Sequence, residues 1–531
     1  MSSQLSSAAS HTMNWIIRLF GMLPFQEEQL LKMAADRSGA EHRVALLELR
    51  RQGMVRTVRQ GWGERHHYVP QTVYREWQML ALAHCPEPEP AEPSGIALLG
   101  DEQTVPPLGQ QLIHAWSALF KCGMKRTAKG LLPKRALDRA GRQLAFDEAH
   151  SGVLPWKPVA GEKLYSFPIM FMLDLAARKE WLVEQGRHMA LSGKWRQWLA
   201  LPDHRREELL YGDIAAVYAS WTAASAAAAL RLSRLQPWRW YRLEQWSNAE
   251  EYSAIVGWCR LMRAFGWLEE AADLTGHRLF RWLINPLLPA AIETASPDDP
   301  EPVKVLPDGE IFVPVPVTGE VRWQLEMIAE RKRCDVMTVY QLNEQTMKEA
   351  AASGLQVSDI VRILENSSKE PLPASIRIAI EGWCSRAADE QRPTGLISAA
   401  ACTGKQAPQR PAAPLFVHPG DVSQFQQVAE TPRDEVIFPG LDAIPLIWRR
   451  EMRNYHLSTR KLLVEQAIAW QTPVQIVRNG ATARFIPDTM EKKGEAWLVS
   501  GRSYERGKLE RQILSLDMWE EMKLFIPIDL Y

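Results

Sequence analysis

Apolar side chains recur along this chain at two spacings, and the change from one to the other marks its elements. Helical spacing dominates residues 105–294. "GQQLIHAWSALFKC" predicts one helix and "LPKRALDRAGRQLAF" another, with Pro133 suited to its first turn and "TAKG" as the connector. "YASWTAASAAAALRLS" is Ala-rich and predicts a buried helix. No stretch approaches the roughly 18 uninterrupted apolar residues of a membrane span.

Twice the pattern passes from helix to strand, turn and strand. "EHRVALLELRRQ" (41–52) puts Val44, Leu47 and Arg51 on one helical stripe with Leu46 and Leu49 beside it, and Gly53 stops the helix. "MVRTVRQ", the turn "GWGE" and "RHHYVP" follow as two strands. His66 and His67 face opposite sides of the second strand, so they do not easily share a metal. Helix, strand, Gly turn, strand is the order of a winged helix. "YSAIVGWCRLMRAFGWLEEAADLTGHRLFRWL" repeats it, with strands "GWLEE" and "RLFRWL" about a turn through Gly276.

Residues 303–388 mix both spacings. "VKVLPDGEIFVPV" predicts two short strands about "PDGE", "GEVRWQLEMIAERKRC" an amphipathic helix, and "VMTVYQLN" a strand. "NEQTMKEAAASG", "QVSDIVRILENSS" and "PLPASIRIAIEGWCSR" predict three helices, the second started by Ser358 or its neighbours. "LIWRREMRNYHLSTRKLLVEQAIAW" (446–470) predicts helix with a break near Leu457. "TPVQIVRNG", "TARFIPDTME", "EAWLVSGRSY" and "RQILSLDMW" then alternate, with turns at Gly480 and Gly494, which is enough strand for a small β-barrel.

Pro-rich breaks at 85–95, 295–302 and 391–421 separate these blocks. The expected fold class is mainly α with α+β parts, in several domains. They are a winged-helix-like domain at 1–84, a Pro-rich linker at 85–104 and a helical domain with winged-helix-like units at 105–294. An α+β domain at 303–388, a disordered linker at 389–434 and a helix with a small barrel at 435–531 complete the chain.

Composition is that of an ordinary soluble protein, 46% hydrophobic and 24% charged. The 21 tryptophans read as large side chains joining helices into cores. The 6 cysteines show no C-x-x-C spacing and no histidine pair completes a zinc pattern, which argues against a disulfide framework or a structural metal and fits a reducing cytoplasm. The N-terminus has no basic start and only an interrupted apolar run, so no signal peptide is read. The 63 basic and 63 acidic side chains cancel, so any contact with nucleic acid must come from a local patch.

Such a patch exists. Lys121–Arg142 holds Lys121, Lys125, Arg126, Lys129, Lys134, Arg135, Arg139 and Arg142 against one acid, Asp138. Charge runs are usually solvated helix faces, but those mix signs. Lys125, Arg126 and Lys129 also sit just before a helix start, a place suited to phosphates. The expected nucleic-acid-binding residues are Lys125, Arg126, Lys129, Lys134, Arg135 and Arg139, with Arg50, Arg51, Arg56 and Arg59 of the first helix–hairpin unit. "RLSRLQPWRWYRLEQW" (231–246) mixes arginines with Trp238, Trp240 and Tyr241; bases could stack there, but Arg–Trp packing in a helical core accounts for the pattern.

Residues 303–388 resemble the N-terminal domain of XPB-type helicases, a module also found in bacterial proteins called helicase-associated. The "PDGEIFVP" hairpin, the helix "LEMIAE", "VYQLNEQTMKEAAASG", "IVRILENSSKEPLP" and a closing helix ending in "GW" carry the resemblance. "RTAKGLLPKRAL" (126–137) is similar to a segment upstream of this module in the bacterial proteins, and 435–531 looks like a WYL-type domain without a Trp-Tyr-Leu triplet. The resemblance implies a protein that acts on DNA.

"DEAH" (147–150) matches a helicase box whose acids hold magnesium and orient water. That chemistry also needs the phosphate cradle G-x-x-x-x-G-K-[ST]. Gly193-Lys194 is followed by Trp195, Gly404-Lys405 by Gln406 and Gly507-Lys508 by Leu509, and "RQLAF" before the box continues a helical pattern. The expectation is a cytoplasmic, bacterial DNA-binding protein that is not an enzyme and holds no cofactor or metal. It would grip the backbone of duplex or junction DNA beside a separate helicase or nuclease, in DNA repair or recombination, with no membrane contact. A transcription regulator with a WYL-like sensing domain and a protein–protein adaptor are the alternatives.

Overall fold

The first helix–hairpin unit forms where its pattern places it. Ser38 and Glu41 close a capping box, each side chain bonded to the other's backbone N–H, and the helix Gly39–Arg51 follows with Leu46 and Leu49 buried. Arg56–Gln60 and Glu64–Tyr68 pair antiparallel across a turn in which Gly61 and Gly63 take positive φ. The helix Ser7–Phe20 packs beside them, its N-cap Ser6 donating twice to the Glu48 carboxylate at 2.8 and 2.6 Å. These residues belong to a computed structural model that describes 5–527, except 35, 62, 84–88, 93–94, 100–104, 154–157, 160–164, 220–221, 244–248, 287–300, 315–316, 335–336, 353, 391–409, 419–420, 423–424, 429–436 and 506–507.

The far end of the chain completes this body. Gln426–Gln427 adds a third strand to the hairpin, with Val58 opposite Gln427. Ala40, Val44 and Leu47 share one core with Leu463, Val464 and Trp470 of the helix Leu457–Trp470 and with the strand residues Val474, Phe485 and Met522. Two compact units result, Met1–Ala81 with Pro419–Tyr531, and Leu82–His418.

The C-terminal strands correct an expectation. Lys508–Ser515, Ala496–Glu505, Ala481–Lys493, Val474–Arg478 and Glu521–Leu524 lie in that spatial order as one antiparallel sheet. Its outer strands do not pair with each other, so the sheet is open and no small barrel forms. The physical reason is that the helix Leu457–Trp470 already shields the apolar face, which removes the need for closure. The break near Leu457 is real: Ile447–Arg450 is a single turn, and the longer helix begins afresh at Leu457.

In the second unit a large core surrounds the helix Leu108–Lys121 and contains Trp116, Trp181, Trp195, Trp258, Trp267 and Trp282. The helix Ala249–Ala264 leads into the hairpin Leu268–Asp273 and Arg278–Trp282, as expected. A further helix–hairpin unit was not anticipated: Phe167–Arg178 followed by Leu182–Gln185 and His188–Leu191. Segments from the Pro-rich breaks edge these sheets, Ile96–Leu98 against Leu268–Asp273 and Arg410–Pro411 against Leu182–Gln185. Residues 391–409 of the expected disordered linker lie outside the described residues. The buried Asp174 carboxylate accepts from Arg178 Nε, Tyr218 Oη and the backbone N–H groups of Leu415 and Phe416, at 2.7, 2.7, 2.7 and 2.9 Å.

Residues 303–388 form a four-stranded sheet in the order Glu330–Cys334, Thr338–Gln341, Glu310–Val313, Lys304–Val305. Four helices accompany it, Gly319–Ile328, Glu344–Ala352, Val357–Ser368 and Ala374–Glu390. The helix expected to run through Cys334 stops at Ile328, because Ala329 turns extended and "ERKRC" becomes an edge strand against Thr338–Gln341. With about 47% helix and 23% strand, the fold is mixed α/β rather than mainly α.

Candidate nucleic-acid interface

The basic run lies on a scaffold that the sequence only half disclosed. After the helix Leu108–Lys121, Gly123 takes positive φ and the connector turns back along the unforeseen hairpin. Arg126 N–H donates to the Arg187 carbonyl at 2.8 Å and Met189 N–H to the Met124 carbonyl at 2.9 Å, so the connector runs as an irregular extra strand. Met124 and Leu132 point into the core, which leaves Lys125 and Lys129 exposed. Pro133 then caps the short helix Lys134–Gly141. Ala136 and Ala140, one turn apart, are its buried positions, and Lys134, Arg135 and Arg139 face solvent. The helix expected to continue through Phe146 ends at Gly141.

Pairing divides these cations. Arg126 is half-buried and bonded to Glu184 on the hairpin. Arg139 reaches Cys122 Sγ at 3.6 Å. Lys121 is half-buried rather than exposed, and that burial lowers its pKa. Among the described residues Lys125, Lys129, Lys134, Arg135 and Arg142 have no ion-pair partner. The hairpin tip adds Arg187 and His188, both exposed beside Lys125. Sequence reading missed these two; "EQGRH", a Gly with positive φ between two apolar runs, was the available signal. Among the described residues, phosphate oxygens find several exposed donors here that are not paired with a carboxylate.

The other predicted residues lie in the first unit. Arg51 and Arg56 are exposed, while Arg50 and Arg59 are half-buried. Arg59 stands directly opposite Arg65 in the hairpin ladder. Burial, then the nearby Arg65 charge, lowers the pKa of Arg50. Burial also pushes His67 down to about 3, so it stays neutral against Thr57 Oγ1 at 3.0 Å, an internal prop rather than a surface contact.

DEAH sits on no strand. Asp147 is exposed and bonded to His150 Nδ1 at 2.9 Å, and Glu148 accepts the Phe167 N–H at 2.8 Å, capping the helix Phe167–Arg178.

Residues 303–388 match the model of a helicase conserved C-terminal domain. No curated protein matches the chain. The match supports helicase association and a helicase-related nucleic-acid function. It also overturns one expectation. That family is typically part of ATP-dependent helicases, which are enzymes, so the reading of this chain as not an enzyme does not stand. Among the described residues, no helix is long and apolar enough to cross a membrane.

Proposed function

We propose that this protein works on DNA in a helicase-related process and grips the phosphate backbone through the surface built by Lys125, Lys129, Lys134, Arg135, Arg139 and Arg142 with Arg187. The observation that carries this reading is the group of exposed cations without carboxylate partners, in the same chain as a helicase-type domain. In this reading the three helix–hairpin units act as winged helices, Arg56 and Arg59 lie on the wing of the first, and residues 303–388 are an XPB-like module. Repair or recombination is the setting, with a helicase or nuclease as partner.

Fluorescence anisotropy with labelled duplex, forked and single-stranded DNA across a salt series tests it. Changing Lys125, Lys129, Lys134, Arg135 and Arg139 to Ala removes five candidate phosphate contacts. The slope of log affinity against log salt should become shallower by about 4. Wild-type protein that binds none of these nucleic acids at low salt overturns the reading.

A further inference from the structure

The basic surface does not end with the helix Lys134–Gly141. Next to the exposed Arg142, the Gln143 side-chain oxygen accepts from Arg331 Nη2. Arg331 belongs to Glu330–Cys334, "ERKRC", the edge strand of the helicase-type domain. The ladder of that strand with Thr338–Gln341 shifts register between Arg331 and Arg333, so Lys332 is the extra residue of a β-bulge. Lys332 and Arg333 are both exposed. Lys332 meets Glu330 at 2.9 Å, but both side chains stand half in water, where such a pair is worth little and exchanges readily. Among the described residues Arg333 has no ion-pair partner.

The seam between the two basic patches is packed, so they keep one fixed relation. Ser117 Oγ of the helix Leu108–Lys121 donates to Glu326 of the helix Gly319–Ile328 at 3.2 Å. Trp323 meets Phe120 and Trp195 edge-on, with ring centroids 6.0 and 5.6 Å apart. Gln110 Nε2 donates to Cys334 Sγ at 3.3 Å. Two carboxylates at this seam, Glu326 and Glu349, are buried and half-buried, and both act on Lys121.

Composition selects the ligand. Residues 121–142, 184–188 and 330–334 hold no Phe, Tyr or Trp. Unpaired strands are gripped by stacking their bases on such rings. A duplex instead turns its phosphates outward, at one charge per about 1.7 Å of axis, and asks only for cations on a rigid support. We propose that one DNA duplex lies across both patches. Lys134, Arg135 and Arg142 hold its backbone on one side of the seam and Lys332 and Arg333 on the other, so the helicase-type domain is itself part of the grip. This rests on the proposed function and adds to it a substrate class and a footprint. Cations and bulges on edge strands also serve to block edge-to-edge pairing. That role alone leaves DNA affinity untouched, so binding separates the two.

The experiment is fluorescence anisotropy of the full-length protein with a labelled duplex and with each of its strands alone, across a salt series. Lys332→Ala with Arg333→Ala is the test variant. Arg333→Gln alone replaces it if the double variant loses the wild-type melting profile. Lys304→Ala is the control, an exposed cation on the opposite edge of the same sheet. The wild type should bind the duplex at least about tenfold tighter than either strand. The double variant should make the salt slope for duplex shallower by about 2, and Arg333→Gln by about 1. Lys304→Ala should leave the slope unchanged. An edge-strand variant that keeps the wild-type slope, while the basic-surface variant loses it, overturns the shared footprint and leaves the proposed function standing. So does an equal loss from Lys304→Ala, which would be an effect of net charge. Single strands bound as tightly as duplex overturn the substrate class, again without touching the proposed function. Only a wild type that binds no DNA at low salt removes both.

Discussion

Glu207 shows how one buried side chain makes stability depend on pH. It accepts from Gly109 N–H at 3.1 Å and Trp267 Nε1–H at 2.7 Å, and burial raises its pKa from 4.5 to about 7. The folded state therefore holds a proton that the unfolded state releases between these values. Stability should fall as pH rises from about 4.5 to about 7 and level off above, by about 3 kcal/mol at most. Glu207→Gln keeps an oxygen for both donors and should flatten that slope; melting midpoints at pH 5, 6, 7 and 8 for both proteins check it. Gly319 is fixed by a different constraint. A Cβ there would stand 2.4 Å from Arg206 Nη1 and 2.9 Å from the Leu199 carbonyl. Gly319→Ala should destabilise by about 1–3 kcal/mol, read as a lower midpoint of the transition that loses tryptophan burial. Neither residue was legible in the sequence, because a close approach and a buried carboxylate are made by segments far apart in the chain.

At the scale of elements, local pattern spoke clearly where one segment carries its own period and punctuation. Gly39–Arg51 with its hairpin, and Ala249–Ala264 with its own, were readable from apolar stripes ended by glycine. Phe167–Arg178 was not, because it is buried on every side and so shows no polar face to mark its period. Its hairpin, which carries Arg187 and His188 to the basic surface, went unread with it. The candidate cations themselves were legible as a run of one sign; which of them are spent on internal pairs, as Arg126 is on Glu184, was not. Asp174 sets the value of one such hidden element. Asp174→Ala would strand the N–H groups of Leu415 and Phe416, the Tyr218 hydroxyl and the Arg178 guanidinium. The expected loss is about 3–5 kcal/mol. Hydrogen exchange should show it first as lost protection at 410–416, where Arg410–Pro411 edges the hairpin.

For the whole molecule, the Pro-rich breaks were visible as composition, but the joining of residues 1–81 with 419–531 was not, since periodicity carries no information on which apolar faces meet. Ending the chain at His418 should leave the melting transition of residues 82–418 in place. It should also make the N-terminal helices protease-sensitive and increase binding of a hydrophobic dye. The same division orders events on the ribosome. Val44 and Leu47 emerge early, while Leu463 and Val464 are still untranslated. At about 5–20 residues per second, the intervening 82–418 take roughly twenty seconds to a minute to appear. By the end of that wait the second unit has its whole sequence and folds first, and throughout it the helix Gly39–Arg51 presents a bare apolar face to whatever chaperone is nearest.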